Sequence, residues 1–153
     1  MLEPNYQKNI NHAKMLESEG KSLEMMPRDA FWAPITASRF LSLQNLDGDD
    51  DFFSSDLSDE QLRERLGHIG TFYREPGEDC LKVLVAFSGK DEYVPKHVDK
   101  HRLLTRLCDA MNQGGEGIVA VPLMLNTGNH NLSEGEEDAN IFINEIEKLL
   151  KVY

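Results

Sequence analysis

Cysteine is scarce: Cys80 and Cys108 are the only two in 153 residues, far apart and each in an apolar setting. That argues for two free thiols in a reducing compartment over a disulfide framework. Long apolar runs are missing too. The longest, Ile118 to Leu125, has eight residues, against roughly 20 for a membrane-spanning helix. The opening Met1-Leu2-Glu3-Pro4-Asn5 has neither the basic start nor the apolar stretch of a secretion signal. Positive charge is in short supply: 16 Lys+Arg against 27 Asp+Glu leave a formal net charge of −11. Such a field repels nucleic acid and offers no basic membrane anchor. No repeat period or low-complexity tract is present. The expectation is one acidic, cytoplasmic globular domain with neither nucleic acid nor membrane as partner.

The first half reads as helical. A helix from about Tyr6 to Glu19 places Ile10, Ala13, Met15 and Leu16 near one face. Lys8, Lys14 and Glu17 face water, and Gly20 stands where a C-terminal cap belongs. Pro27 ends any continuation, and a second short helix from Thr36 to Leu43 follows Pro34.

The run Leu46-Asp47-Gly48-Asp49-Asp50-Asp51 looks like a cation loop. A calcium loop needs oxygen ligands at alternating positions, a glycine at the sixth and a glutamate at the twelfth. Counting twelve from Asp47 reaches Ser58; counting from Asp49 reaches Glu60 but leaves no glycine at the sixth. The spacing disfavours a metal site on Asp49, Asp50 and Asp51, and a solvated loop is the simpler reading. Ser58 followed by Gln61 is a capping box, opening a helix to about Gly67 with Leu62 and Leu66 as its apolar pair.

The second half has the pattern of a βαβα unit. Cys80 to Phe87 is nearly continuous apolar sequence, as in a strand of a buried parallel sheet. A polar loop, Ser88 to Pro95, leads to a helix from about Lys96 to Asn112 with Leu103, Leu104, Leu107, Ala110 and Met111 inward. Gly117 to Leu125 is a second strand, where Pro122 implies a bulge or an edge. After the loop Asn126 to Leu132, a last helix from Glu136 to Lys151 is expected to bury Ile141, Ile143 or Phe142, Ile146, Leu149 and Leu150. The crossover should be right-handed. The chain therefore reads as a mainly helical segment, 1–66, followed by a βαβα unit over 80–153.

In such a unit both loops leave the carboxyl ends of neighbouring strands, where α/β proteins place ligands and catalytic groups. Asp91 sits in the first loop and His130 in the second. Adjacent strands lie about 4.8 Å apart, so the two side chains can meet. A carboxylate that accepts from one imidazole nitrogen fixes the tautomer and leaves the other nitrogen as a base. Taken singly, a loop aspartate is more often a turn residue and a loop histidine a solvated one; their paired placement gives them weight.

The stretch Val83 to Pro95 resembles the acid-bearing strand and loop of α/β-hydrolases, and Gly128-Asn129-His130-Asn131-Leu132 resembles their histidine loop. Ala33 to Leu43 and Gly48 to Leu57 are similar to a fungal and plant group known as domain of unknown function 1749. The resemblance runs from the first helix to the last. It implies the carboxyl-terminal portion of an α/β-hydrolase fold, with parallel strands and flanking helices. It also implies Asp91 as the acid that orients His130, His130 as general base, and no cofactor. Some fungal members of that group hydrolyse siderophore esters, so a small-molecule ester is the implied substrate.

One part of that pattern is missing. Such a hydrolase needs a serine on a Gly-x-Ser-x-Gly turn and backbone donors for the oxyanion. Ser88 has Ala86 before it and Lys90 after it at the glycine positions; Ser133 has Gly135 but also Asn131. Ser54 and Ser55 follow no apolar strand. The family's order of nucleophile, acid, histidine places the serine upstream of Met1. The expectation is a partial serine-esterase domain, inactive alone, with an uncovered strand edge open to self-association. The competing expectation is a non-catalytic remnant that serves as a binding or regulatory domain.

Overall fold

The computed structural model describes residues 5–46, 48–73, 81–134 and 136–150. The chain divides into two compact units, Met1–Phe52 and Phe53–Tyr153, each with its own core.

In the first unit, α1 (Tyr6–Ser18) packs against α2 (Ala37–Gln44). Ile10, Ala13 and Leu16 of α1 are buried with Ile35, Phe40 and Leu41. Met15 was expected among them, but it is exposed: one residue short of Leu16, it is rotated about 100° off the buried stripe. Gly20 adopts a positive φ of 72° just past the helix, a conformation that glycine alone takes without penalty. Thr36 caps α2 by accepting from Arg39 N. In the acidic run, Asp50 accepts from the Arg39 guanidinium and from Ser42 Oγ (2.9 Å), so it ties down α2 rather than facing only water. No metal-holding cluster of acids, histidines or cysteines occurs among the described residues; Asp47 lies outside them.

In the second unit, α3 (Asp59–Leu66) opens with both bonds of the capping box, Gln61 N to Ser58 Oγ and Ser58 N to Gln61 Oε1. A 3-10 helix, Gly67–Phe72, continues from it and has no counterpart in the sequence reading. Strands β1 (Val83–Ser88) and β2 (Ala120–Leu125) pair in parallel, linked by α4 (Lys100–Asn112), and α5 (Glu136–Leu150) follows β2. This is the α/β arrangement of parallel strands with flanking helices. The helix α4 packs against both strands, α3 and the 3-10 helix, and its Leu103, Leu104, Leu107 and Met111 form the middle of the core.

Three boundaries differ from expectation. Helix α4 starts at Lys100 rather than Lys96, because Asp99 is its cap and accepts from Arg102 N (3.0 Å). Strand β2 starts at Ala120 rather than Gly117, because Asn112 at the end of α4 clamps its first residues. The Asn112 amide accepts from Val119 N and Ala120 N and donates to Ala120 O. Strand β1 is paired from Val83 onward; Cys80, the expected first residue, lies outside the described residues. Pro122 pairs with Val85 in an unbroken register, so there is no bulge, and β2 is an edge of the two-stranded sheet formed by the described residues.

The last helix departs most. Ile141, Ile143 and Leu150 are exposed, Phe142, Ile146 and Leu149 are half-buried, and the buried side chain of α5 is Asp138. The apolar stripe is present, but among the described elements β2 is the main one packed against this helix. The residues of β1 from Val83 to Phe87 are likewise only half-buried. No helix of the described residues is long and apolar enough to cross a membrane.

Candidate active site

The parallel register ends with Ser88 opposite Leu125, so the two following loops leave the sheet side by side. They are stitched together by backbone bonds: Gly89 N donates to Leu125 O (2.5 Å) and Lys90 N to Gly128 O (3.0 Å). The approach is close enough to demand glycine at 89. A Cβ there would stand 2.6 Å from the backbone oxygen of Asn126.

Asp91 is turned into the site by its own loop. Its N–H donates to Ser88 O (3.1 Å), and its Oδ1 accepts from Tyr93 N (2.9 Å), a local turn typical of aspartate. From α4, the Lys100 ammonium donates to the carbonyl oxygens of Ser88 (3.2 Å), Gly89 (2.8 Å) and Asp91 (3.2 Å), holding the loop from within.

On the opposite loop, His130 Nδ1 lies 2.9 Å from Asp91 Oδ2. Asp91 is only 11% exposed and His130 is 57% exposed, so the acid is covered and the imidazole open to solvent. Burial pushes the Asp91 carboxyl up. The bonds from His130 and Tyr93 N–H, with electrostatic attraction to the imidazole and to the Lys100 ammonium, outweigh it and hold the group below the ordinary carboxylate range. An ionised carboxylate can only accept, so Nδ1 carries the proton in this bond. Nε2, which has no hydrogen bond among the described residues, is left to accept one. The imidazole is further located by Glu92 Oε2, which accepts from His130 N (3.1 Å), and by the Tyr93 ring, edge-on at 4.8 Å between centroids.

The histidine loop has its own anchor. Asp138 Oδ2 accepts from Thr127 N (2.6 Å), Thr127 Oγ1 (2.9 Å) and Gly128 N (2.5 Å). Burial acts to raise this carboxyl; the Thr127 and Gly128 donors and the Lys90 charge bring it below the ordinary value. Leu132, just beyond His130, adopts a positive φ of 56°, rare for a residue other than glycine. A groove of about 470 Å³ runs along the acid loop beside Glu92, Val94, Pro95 and Lys96.

The structure therefore brings together the two residues singled out in the sequence. Around them it places Glu92, Tyr93, Lys100 and Asp138, which the sequence reading did not select. Glu92 and Tyr93 are ordinary loop residues in sequence. Lys100 lies twelve positions after Ser88, with no pattern linking it to the strand. Asp138 reads as the third of three acids at a helix start, favoured by the helix dipole like Glu136 and Glu137. Only its burial sets it apart.

Part of the chain is 45% identical to the fusarinine C esterase sidJ of Aspergillus fumigatus, over 91 residues, 56% of this chain and 25% of that protein. It is 44% identical to esterase AN6793 of Emericella nidulans over 77 residues, 47% of this chain and 20% of that protein. Among solved structures, siderophore hydrolase EstB from Aspergillus fumigatus superposes with a TM-score of 0.74 at 32% identity, covering 96% of this chain and 47% of that one. That neighbour is of the α/β-hydrolase type, and this chain spans about half its length. The family described as "Protein of unknown function (DUF1749)" matches residues 2–151, and the chain belongs to it.

Proposed function

We propose that this chain is the acid–base part of a serine esterase acting on siderophore-type esters. Asp91 orients His130, and His130 Nε2 takes the proton from a serine nucleophile and returns it to the leaving alcohol. The observation that carries the reading is the 2.9 Å contact between a covered carboxylate and an open imidazole at the carboxyl ends of two parallel strands. The similarity to two fungal esterases and a siderophore hydrolase supports the substrate class. The serine elbow and oxyanion donors are contributed by sequence outside residues 1–153, which together form part of one α/β-hydrolase domain. Cys108 is a buried free thiol, which fits a reducing, cytoplasmic setting.

The test uses the protein isolated from its source, its intact mass and a fluorophosphonate probe for reactive serines. The expected result is a chain longer than 153 residues, labelled at a serine upstream of Met1, that hydrolyses a fusarinine-type ester and loses that activity in the His130→Ala variant. A native chain of 153 residues with no labelled serine and no turnover overturns it and supports the binding-domain reading.

A further inference from the structure

We infer that Asp138 is a positioning residue for His130: from α5 it fixes the backbone of the histidine loop so that Nδ1 meets Asp91. The inference rests on the reading of His130 as the base and adds the group that sets where the base stands. Asp138 is 4% exposed, whereas its neighbours Glu136 and Glu137 are exposed. A helix that leaves Ile141, Ile143 and Leu150 in solvent thus buries an acid. Burying a carboxylate is costly unless donors surround it. The donors described for Asp138 all come from outside its own helix: Thr127 N, Thr127 Oγ1 and Gly128 N, gathered on one oxygen.

The loop conformation seen here gathers those donors on one oxygen, so the buried charge and that conformation stabilise each other. The effect reaches the site by a short path. Gly128, two positions before His130, donates to Asp138 and accepts from Lys90 N, and Lys90 precedes Asp91. The grip of Asp138 therefore sets the spacing of both loops at the point where acid and base meet.

The test reads the tautomer of His130 in the 153-residue chain from its ring ¹⁵N shifts, at a pH where the imidazole is neutral. Asp91 favours the Nδ1–H form, and a displaced ring relaxes toward the ratio of free histidine. Asp138→Ala is expected to lower the ratio of Nδ1–H to Nε2–H by about tenfold, and Thr127→Val, which keeps the two backbone donors, by about threefold. Asp138→Asn is expected to keep most of the ratio, since an amide oxygen accepts the same bonds.

An unchanged ratio in a folded Asp138→Ala chain, with amide signals outside residues 126–134 undisturbed, overturns the inference. Should Asp138→Ala fail to fold, Thr127→Val decides, because Thr127 is exposed and the near-isosteric substitution removes the hydroxyl donor only. A fall in its ratio supports the inference, and no change overturns it. A loss of global stability alone would not shift the ratio within the folded population. The ratio needs no turnover, so failure of the esterase reading, seen as His130-independent activity of the native protein, is told apart from failure of the positioning role.

Discussion

Asp91 and His130 are 39 positions apart in the chain, and their side chains meet at 2.9 Å. The bond is made by two loops whose backbones are themselves joined through Gly89–Leu125 and Lys90–Gly128, so it belongs to the fold and not to a chance rotamer. On the proposed esterase reading, Asp91→Asn in the protein isolated from its source is expected to lower kcat by about 10³–10⁴-fold with KM little changed, because the amide can no longer hold the Nδ1–H tautomer. Steady-state kinetics on a fusarinine-type ester checks it; a fall of less than tenfold would remove Asp91 from the mechanism.

Acid should weaken the second unit in a defined window. Asp91 and Asp138 both titrate below the ordinary value of 3.8 in the folded chain. As pH falls the unfolded chain takes up these protons first, so stability rises with pH there. Their contribution is complete above the unfolded value and is lost as pH drops through the lower folded values. Urea unfolding between pH 6 and pH 2 should show a flat upper region and a decline below about 4. Replacing both residues by Asn should flatten that decline.

Cys108 is 5% exposed, and burial with the nearby Asp109 charge pushes its thiol up to about 11. A thiol that is both covered and protonated is a poor nucleophile. In a Cys80→Ala chain, labelling by a disulfide reagent at pH 8 should be slow and should accelerate with urea in parallel with unfolding. Prompt labelling of the folded chain would contradict the burial.

Gly89→Ala should cost about 2 kcal/mol, since the added methyl meets the Asn126 backbone oxygen and neither strand end can retreat without breaking the loop contacts. The measurement is the urea midpoint at constant m-value.

Lys100→Met should loosen the acid loop. It keeps the apolar stem but removes the ammonium that bonds three carbonyl oxygens, at a cost of about 2 kcal/mol. Hydrogen exchange should quicken at Asp91 and Tyr93, whose N–H groups make the loop's internal bonds. Exchange there at the original rate would show that the loop holds itself.

Much of this architecture was legible in the residues. Apolar runs marked both strands, and Ser58 with Gln61 marked the start of α3 down to the individual bonds. Element edges were less so: Asp99 and Asn112 moved the starts of α4 and β2 by side-chain bonds that no periodicity carries. The facing of α5 was misread for a related reason. Periodicity shows that a helix has an apolar side, not that anything covers it, and burial went to Asp138 instead. Within the site, Asp91 and His130 were selected by their place at strand ends. Lys100 and Asp138 were invisible because their roles depend on where two helices lie against two loops.

The contacts that orient Asp91 and His130 span residues 88–138, within a single βαβα unit with its own helical supports. The pair is thus carried by one continuous stretch of the chain. A substitution outside residues 88–138 is therefore expected to leave the bearing of the imidazole toward Asp91 intact, because every hydrogen bond that sets it among the described residues lies inside that stretch.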